Sequence, residues 1–576
     1  MSGGTHRPVT HLSSDVLIVG AGGAGMYAAV AAARGGASVL LVDKGVVGRG
    51  GATIMAQMTV AAALGHEEPD DWTVHAADTV EAGRGLCNEP LVALLCEQGP
   101  SRILEMDAWG ARWARTGNRL KQSPAPGHSR RRCCYIDFLN TGPAVAATLR
   151  RQVGGSPQIQ RLSNAAVTDI VVRDGTAVGA VALDMVSGQP LTIDAKAVIL
   201  AAGGLTKLYR RNSASSNMGG EAYALALNAG AELVDMEFVQ FFPIANLAPR
   251  LVGMDPIMWD PFRYKLGGRL LNGQFEEFMH RYGSTDRGHY STARDLASYA
   301  IVKEVEAGRG SPHGGVYLDF RHVTESELRD AFGPVIDRLA ANGIDLTRMP
   351  IEVSPIAHYH MGGIRVNTRM HTCVEALYAA GEAVGGAHGA NRLSGNAITE
   401  AFVFGECAGR AAAEDVARRR HSGWDATAAA PALDLARSVR DGRPQGERTP
   451  IGLQTELQDL MWEQVGVFRT GAQLDAALSR IRQMRDAELP HLRIAAAGQF
   501  NMDLHDWYEL RAMLAVAESV AAAAAARRES RGAHQRLDLP ETDAALRHNQ
   551  VIRLERGALS IRREPVVPAQ ATAAGP

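Results

Sequence analysis

The chain contains few cysteines, and their spacing excludes the metal sites that are built from cysteine pairs. Only six cysteines occur in 576 residues, and no two of them form a CxxC pair. Zinc ribbons and iron–sulfur clusters need such paired thiolates. We therefore expect free thiols in a reducing compartment. Any electrons handled by this chain must leave through a non-cysteine cofactor or through another protein.

Long apolar runs and an excess of one charge are also missing. No stretch approaches the ~20 apolar residues of a membrane-spanning helix, and 60 Lys and Arg balance 62 Asp and Glu. This balance gives no field that would favour nucleic acid. The start, MSGGTHRPVTHLSSDVLIVG, has no charged-then-apolar signal region. We expect a cytoplasmic chain that does not span a membrane, with a peripheral place at the inner membrane face through a partner left open.

The order of strand-like and helix-like segments predicts an α/β protein with an insertion. DVLIVGAGGAGMYAAVAAARGGASVLLVDK has the pattern strand, glycine turn, helix and strand, which opens a doubly wound sheet. Segments 14–245 and 356–425 are predicted to form one domain, with 246–355 inserted between them. A helical domain is predicted over 430–545, followed by a tail over 546–576. An insert of this kind often places a site at the domain junction.

A glycine motif marks the first turn as a dinucleotide site. Gly20, Gly22 and Gly25 follow the strand DVLIV and open a helix. The first glycine permits a tight turn, the second lets a pyrophosphate approach the backbone, and the third brings the helix close to the strand. The N–H groups at the helix start favour phosphates. Asp43 ends the next strand, where a carboxylate can bind ribose hydroxyls.

Later segments favour FAD over NAD. After Asp43 the chain runs KGVVGRGGATIMAQ instead of beginning an ordinary helix, and Gly50 and Gly51 permit close approach to a large flat group. A strand VILAAGG and a distant strand ALYAAGEAV are also typical of flavoproteins in which FAD lies extended across the domain.

Several longer motifs carry a resemblance to a known family. VDMEFVQFFP, TARDLASYAI, HYHMGGIRVN, LYAAGE, HGANRLSGN and ARRESRGAHQR occur in the order of the flavoprotein subunit of succinate dehydrogenase and fumarate reductase. That superfamily includes L-aspartate oxidase and the adenylylsulfate reductase flavoprotein. The resemblance covers about residues 14–545. It implies a doubly wound, Rossmann-type FAD-binding domain, an inserted α+β capping domain and a C-terminal helical domain.

The resemblance also implies which residues contact FAD. Glu221 stands where the family has an aspartate, Glu382 is expected on a ribose, and the backbone at Ala397 and Ile398 is expected near the flavin ring. The remaining expected contacts are Gly20, Ala21, Gly22, Gly23, Ala24, Gly25, Asp43, Lys44, Gly50, Gly51, Ala52 and Gln57.

One position departs from the respiratory members of the family. Those members carry a histidine that bonds covalently to FAD, and the alignment of GATIMAQ puts Ala52 there. No histidine occurs between His11 and His66. We therefore expect FAD to be held without a covalent bond, which disfavours succinate oxidation and suits reduction or the oxidation of an easier donor.

An isolated arginine predicts how the substrate is bound. No acidic residue occurs between Glu382 and Glu400, yet Arg392 lies in this stretch. An arginine fork binds a carboxylate through two hydrogen bonds, so we expect a carboxylic acid as substrate. The resemblance implies that His358 grips the same carboxylate. The alternatives are an ion pair of Arg392 with an acid from another domain and a structural role for His358.

The resemblance gives Arg294 the role of proton transfer. Hydride would pass between the flavin and one carbon, and a proton would pass at the adjacent carbon, with clamped geometry lowering the barrier. Since free arginine has a pKa above ~12, this role needs a relay that reprotonates it. Arg263 and Lys265 are candidates for that relay. A simple Arg294–Asp295 pair is the alternative.

The second half of the family's dicarboxylate grip is altered. The family sequence QFHPTG occurs here as QFFPIA, so Phe242 replaces a histidine that binds the second carboxylate, and TEGxRGEGG occurs as WDPFRYKLGG. An unpaired buried carboxylate costs several kcal/mol. We therefore predict an acid with one carboxylate and a bulkier or apolar second end, and weak or no activity with succinate or fumarate.

The leading hypothesis is a flavin-dependent oxidoreductase that acts on a carbon–carbon bond next to a carboxylate. Its electron partner would be a separate iron–sulfur or quinone-linked subunit, because the chain carries no cluster motif. The alternatives are an L-aspartate oxidase-like enzyme, an adenylylsulfate reductase-like enzyme and a non-catalytic electron carrier. The altered motifs count against the first of these alternatives, and the retained Arg294, His358 and Arg392 count against the last.

Overall fold

The fold is taken from a computed structural model that describes most of the chain. The described residues are 9–57, 59–137, 139–213, 215, 217–251, 256–259, 266–282, 294–420, 423–441, 446–495 and 498–569. Among the helices of these residues, none is both long and apolar enough to cross a membrane.

Helices and strands alternate through the first half of the chain, and helices dominate the second half. The α-helices are Gly23–Arg34, Ala52–Met55, Trp72–Ala82, Glu89–Ala108, Thr141–Gly154, Glu221–Asn228, Arg294–Glu306, Glu325–Phe332, Val335–Ala341, Asn396–Arg418, Ala426–Arg440, Pro450–Gln464, Gly471–Gln483 and Met502–Ala526. The strands are Thr10–Val19, Val39–Val42, Val60–Ala61, Arg115–Thr116, Arg119–Leu120, Gln122–Ser123, Cys133–Cys134, Ile159–Leu162, Ala165–Arg173, Thr176–Asp184, Pro190–Leu200, Leu233–Val234, Val239–Ala248, Arg269–Leu271, Val316–Asp319, Ile351–His360, Gly363–Ile364, Leu377–Ala379, His548–Glu555 and Ala558–Pro565.

The principal sheet has seven strands and confirms the predicted doubly wound domain. Thr10–Val19 lies parallel to Val39–Val42 on one side and to Pro190–Leu200 on the other. The strand Leu377–Ala379, which follows the insertion in sequence, also pairs in parallel with Pro190–Leu200. The strands predicted from VILAAGG and ALYAAGEAV are therefore neighbours in one sheet. Their short apolar runs are buried, as expected for parallel strands covered on both faces.

Two glycines let the second segment of this domain pack tightly against the first. Gly405 and Gly409 of the helix Asn396–Arg418 lie against the backbone of the helix Gly23–Arg34. A Cβ at Gly405 would be 2.5 Å from the Ala24 carbonyl oxygen. The close approach joins segments that are distant in sequence, and it fixes the start of the later helix beside the glycine turn.

The inserted region has its own sheet and its own core, which includes the buried Trp259. Its sheet joins the strands in the order Val239–Ala248, Ile351–His360, Val316–Asp319 and Arg269–Leu271. The first two strands cross the boundaries expected at residues 245 and 355. Both strands continue into the FAD-binding domain. His358, near the end of the strand Ile351–His360, therefore lies at the domain junction.

The C-terminal part is helical and ends in a hairpin. The helix Met502–Ala526 packs against the helix Glu221–Asn228 of the first segment. Strands His548–Glu555 and Ala558–Pro565 lie within the segment that was predicted to be a tail, and the first of them pairs with Leu233–Val234. The alternation in QVIRLERGALSIRRE and a positive φ of 81° at Gly557 explain this hairpin.

Candidate active site

One long cleft runs past the carboxyl ends of the parallel strands, where ligands of doubly wound sheets bind. Its empty space, including the part open to solvent, is about 2560 Å³. The predicted cofactor residues that line it are Gly20, Ala21, Gly22, Gly23, Ala24, Asp43, Lys44, Gly50, Gly51, Ala52, Gln57, Glu221, Glu382, Ala397 and Ile398. Gly25 is not among the lining residues; it packs the helix onto the strand, as the motif requires.

The glycine turn fits a dinucleotide. Gly20 has a φ of 99°, and a Cβ at Gly25 would be 1.8 Å from the Gly20 carbonyl oxygen. At Gly22, in contrast, a Cβ would meet nothing within 4 Å. The turn therefore packs tightly on the protein side and leaves open space on the cleft side, beside the N-terminus of the helix Gly23–Arg34, where the phosphates of FAD would lie.

Asp43 stabilises the turn and lies at its expected place. Its carboxylate accepts hydrogen bonds from the backbone N–H groups of Ala21, at 2.9 Å, and Gly45, at 2.8 Å. Burial raises the pKa of Asp43. These two bonds keep the carboxylate at the strand end, which is the position that a ribose-binding acid occupies in such folds.

The loop after Gly50 forms a wall of the cleft. Gly51, with a φ of 83°, donates its N–H to Ser215 Oγ at 2.8 Å, and Gly23 donates to Thr53 Oγ1 at 3.1 Å. Ala52 begins the short helix Ala52–Met55 and lines the cleft with a methyl group. A methyl group offers no nitrogen for a covalent bond to a flavin.

Gln57 makes two hydrogen bonds to the inserted region, which its position in the sequence did not predict. Its Nε2 donates to the Pro256 carbonyl at 2.6 Å, and its Oε1 accepts from the Met258 N–H at 3.0 Å. Pro256 and Met258 belong to the inserted region. Gln57 therefore ties the cofactor loop to the capping region, in addition to lining the cleft.

We call Lys44, Lys207, Glu221 and Glu509 the ion-pair end of the cleft. Lys44 Nζ pairs with Glu221 and, at 2.9 Å, with Glu509, and Lys207 also pairs with Glu509. Burial acts to lower the pKa of Lys44, but the two carboxylates outweigh it and hold the pKa above its ordinary value. Each buried charge here is compensated within the protein, as buried ions require.

Glu509 is a site residue that sequence reasoning missed. It is only 3% exposed, lies in the helix Met502–Ala526 and lines the cleft. Although burial acts to raise the pKa of Glu509, Lys44 and Lys207 keep it below its ordinary value. The only signal in the sequence is a charged residue inside an apolar helix, and its partner Lys44 lies 465 positions away.

Glu382 also lines the cleft. Its Oε1 accepts a hydrogen bond from the His360 N–H at 3.1 Å, and burial raises its pKa to about 8. A Cβ at Gly204 would be 2.3 Å from the same oxygen. Gly204 therefore makes room for the carboxyl group that was predicted to bind a ribose.

We call His358, Arg392, Phe242 and Met258 the arginine end. All four line the cleft. His358 is half-buried, and its Nδ1 is 2.8 Å from Ser213 Oγ. The Arg392 guanidinium carbon lies 4.3 Å from the centre of the Tyr359 ring. The two residues predicted to grip a carboxylate are thus brought into the same cleft from segments that are separate in sequence.

An apolar cluster adjoins the predicted grip. Phe242, Ala245, Met258 and Ile356 form a buried cluster of their own, and the Phe242 ring lies 5.5 Å from the His358 ring, centre to centre. The described wall next to His358 therefore offers a ring and a thioether where a second carboxylate would need a donor.

Three of the predicted residues lie wholly or partly outside the part of the chain that the structure describes. Arg294 begins the helix Arg294–Glu306, which packs against the strand Val239–Ala248, but its side chain is outside the described part. Arg263 and Lys265 are outside the described residues altogether. The proton-transfer role of Arg294 stays a prediction.

The buried His75 and the half-buried His128 support the turn that precedes the helix Asn396–Arg418. His128 Nε2 lies 2.6 Å from the Ser394 carbonyl oxygen, and His75 Nε2 lies 2.8 Å from Asn396 Oδ1. Burial lowers the pKa of His128 to about 4 and that of His75 to about 3. Both are neutral near neutral pH, so the turn that carries Arg392 is supported by uncharged imidazoles.

Two family models match most of the chain. The model described as an FAD binding domain matches residues 15–398, and the one described as the fumarate reductase flavoprotein C-terminus matches residues 454–573. The chain is similar to one of the subunits of fumarate reductase (CoM/CoB) from Methanothermobacter marburgensis, with 36% identity over 533 residues, 92% of this chain and 95% of that one.

Solved structures give the same relationship. A variant of Escherichia coli quinol fumarate reductase superposes with a TM-score of 0.89 at 31% identity, over 97% of this chain and 98% of that one. Adenylylsulfate reductase from Archaeoglobus fulgidus superposes with a TM-score of 0.76 at 20% identity, over 98% of both chains. The second likeness concerns the fold alone.

Proposed function

Because this chain belongs to the family of fumarate reductase and succinate dehydrogenase flavoproteins, we propose that it oxidises or reduces a carbon–carbon bond next to the carboxylate of a small acid. It is a flavin-dependent oxidoreductase with an FAD-binding domain. The observation that carries the proposal is the meeting of His358 and Arg392 in one cleft beside an apolar cluster.

FAD, when bound, supplies hydride transfer to or from one carbon of the substrate. The residues of the chain bind and orient the acid. Arg392 provides a planar, always charged fork for the carboxylate, and Ser213 Oγ, at 2.8 Å from Nδ1, orients the ring of His358. Arg294 is the proposed proton donor or acceptor at the adjacent carbon.

The proposed substrate is an acid with one carboxylate and an apolar second end. With its carboxylate on Arg392 and His358, its other end would lie against Phe242 and Met258. A second carboxylate at that place would lose its hydration without gaining a donor, which costs several kcal/mol. Succinate and fumarate are therefore proposed to be poor substrates.

We also propose a non-covalent FAD and a separate electron partner. Ala52, at the position of the covalent attachment, supports the first proposal. The absence of cysteine pairs from the sequence supports the second, because an iron–sulfur or quinone-linked protein must then complete the electron path. The proposed location is the cytoplasm, peripheral to a membrane if that partner is anchored there.

The test is anaerobic reoxidation of the reduced holoenzyme by a panel of unsaturated acids. We expect trans-cinnamate or crotonate to reoxidise the flavin at least tenfold faster than fumarate. We also expect Arg294→Ala to keep its FAD and lose this reaction. Equal or faster reaction with fumarate would contradict the proposed substrate class, and an Arg294→Ala variant that reacts as the wild type does would contradict the proton-transfer role of Arg294. A wild type that none of the acids reoxidises would favour an electron carrier.

A further inference from the structure

A buried group of three side chains lies next to Arg392 and has no part in the proposed reaction. Tyr359, His388 and Glu400 are 3%, 2% and 0% exposed. The Tyr359 hydroxyl donates a hydrogen bond to Glu400 Oε2. His388 Nε2 lies 3.4 Å from the other oxygen of Glu400, and the rings of His388 and Tyr359 lie 5.6 Å apart.

Tyr359 contacts two charges through different parts of its ring. Arg392 lies over the ring face, with its guanidinium carbon 4.3 Å from the centre. The hydroxyl, which binds Glu400, points outward in the plane of the ring. A guanidinium over a desolvated aromatic face is attracted by the ring quadrupole, so both contacts are favourable, one at the face of the ring and one at its edge.

A buried carboxylate and a buried guanidinium that contact the same ring are candidates for an ion pair with each other. Electrostatic attraction is strong at low effective dielectric, and planar bidentate pairing is the preferred geometry of arginine with a carboxylate. Such a pair would occupy the fork that is proposed to bind the substrate. The Tyr359 hydroxyl gives Glu400 another partner.

We propose that Tyr359 is a positioning residue that holds the Arg392 guanidinium by its ring face and diverts Glu400 by its hydroxyl, so that the positive charge of Arg392 is directed to the carboxylate of the substrate. This inference rests on the proposed function, because it assumes that Arg392 binds a carboxylate. Tyr359, acting through Arg392, thereby sets the selectivity of the site for a charged ligand.

The readout is the ratio of two dissociation constants. The holoenzyme is titrated with trans-cinnamate and with its neutral isostere trans-cinnamamide, and binding is followed by the change in the flavin absorption spectrum. We expect the wild type to prefer cinnamate by about a hundredfold, since a charge-assisted bidentate contact is lost with the amide. A general loosening of the site weakens both ligands and leaves the ratio unchanged.

Three variants separate the two contacts of the ring. Tyr359→Leu removes both contacts, and we expect the preference for cinnamate to fall about tenfold. Tyr359→Phe keeps the ring face and releases Glu400, and we expect a fall of about threefold. In the double variant Tyr359→Phe with Glu400→Gln, the competing charge is gone, and we expect the preference to return to the wild-type value.

Tyr209→Phe is the matched control. Tyr209 is also buried, and its hydroxyl donates to the Val465 carbonyl at 3.2 Å away from the cleft lining. We expect an unchanged ratio in this variant. If Tyr359→Leu does not fold, the Phe variant and its rescue by Glu400→Gln still decide the question.

The outcomes for the inference and for the proposed function can be told apart. A wild-type preference for cinnamate that persists in full in Tyr359→Leu or Tyr359→Phe, or a Tyr359→Phe loss that Glu400→Gln does not reverse, would overturn the role of Tyr359 and leave the proposed function intact. A wild type that binds cinnamate and cinnamamide equally would overturn both.

Discussion

The two ends of the cleft hold their charged side chains by different contacts. At the ion-pair end, Lys44 and Lys207 face Glu221 and Glu509, and the protein compensates its own charges. At the arginine end, the guanidinium of Arg392 lies over an aromatic ring, and Phe242 and Met258 line the same cleft.

This difference matches what each end has to bind. A cofactor that stays in place is served by a rigid site whose charges are already paired, because no reorganisation is needed on binding. A substrate that carries a charge is served by a site with a complementary charge. Under the proposed function, the ion-pair end would retain the cofactor and the arginine end would select the substrate.

The largest expected effect is at the glycine turn. Gly25→Ala would put a Cβ 1.8 Å from the Gly20 carbonyl oxygen. We expect loss of bound FAD and of soluble folded protein, measured by the flavin-to-protein ratio and by thermal unfolding. Gly22→Ala is the matched control, since its Cβ would meet no protein atom within 4 Å. It should fold with unchanged stability as apoprotein and still bind FAD at least tenfold more weakly, because the methyl group would intrude on the phosphates.

Arg392→Met should impair the binding of the substrate carboxylate at the arginine end and leave the ion-pair end unchanged. Loss of a buried charge partner costs about 2–5 kcal/mol, so we expect reoxidation by cinnamate to slow by about two to three orders of magnitude while FAD stays bound. The control is Arg410→Met, which replaces an exposed arginine on the helix that follows Arg392 and should react at the wild-type rate. Retention of the cinnamate reaction by the Arg392 variant would contradict the proposed grip.

Glu509→Gln should weaken the ion pairs at the ion-pair end and leave the arginine end unchanged. Lys44 and Lys207 would then share one carboxylate fewer, and we expect the free energy of unfolding to fall by about 3 kcal/mol, with weaker retention of FAD. The preference for cinnamate over cinnamamide should not change. Glu463→Gln, which removes an exposed partner of Arg210, should cost at most about 1 kcal/mol. Equal effects of the two substitutions would show that the ion-pair end does not hold the fold together.

Phe242→His should make the arginine end accept a second polar group. We expect reoxidation of the reduced flavin by fumarate to rise by about tenfold and reoxidation by cinnamate to fall, since a buried polar side chain replaces apolar contact area. Stopped-flow absorbance measures both rates. Phe242→Leu keeps the site apolar and should leave fumarate a poor substrate. A histidine variant that gains nothing with fumarate would argue that Phe242 does not set the substrate class.

Acidification is expected to have the smallest effect. It should remove the stability contributed by His128, which supports the turn carrying Arg392, at a higher pH than the stability contributed by Glu509. His128 has a pKa of about 4 in the fold, below its ordinary 6.5, so the unfolded chain binds more protons in that window. The stability that neutral His128 contributes is therefore lost as pH falls from about 6.5 towards 4, by at most ~1.4 kcal/mol per pH unit. Glu509, with a lowered pKa, keeps its contribution until pH falls below the ordinary 4.5.

Between pH 6.5 and 4.5 we therefore expect the free energy of unfolding of the FAD-loaded protein to fall while FAD stays bound, because His128 remains mostly neutral in the fold. Arg132 and Asp78, which lie beside His128 and bear opposite charges, stay ionised through this window. His128→Gln, which keeps a donor for the Ser394 carbonyl, should make the free energy of unfolding less dependent on pH in this window. Loss of FAD within the same window would contradict a separation between the two ends.

The sequence predicted how the residues of the glycine turn meet, for local physical reasons. Gly20, Gly25 and Asp43 act within one strand–turn–helix–strand unit, so their spacing alone determines how they meet. The parallel pairing of Pro190–Leu200 with Leu377–Ala379 was also accessible, because both strands are short apolar runs that end in glycine-containing turns.

The features that sequence reasoning missed depend on contacts between distant segments. Glu509 meets Lys44 across 465 positions, and Tyr359 meets Glu400 across 41. No periodicity reports such pairs. The hairpin within residues 546–576 was missed for another reason: its strands rely on pairing with Leu233–Val234, and their many charged residues resemble a solvated tail.

The most direct test of the central claim is a crystal structure of the FAD-loaded protein with trans-cinnamate bound. The account predicts carboxylate oxygens within about 3 Å of the Arg392 guanidinium and of His358 Nε2, with the phenyl ring against Phe242 and Met258. A carboxylate bound elsewhere, or a phenyl ring that points away from Phe242, would contradict it.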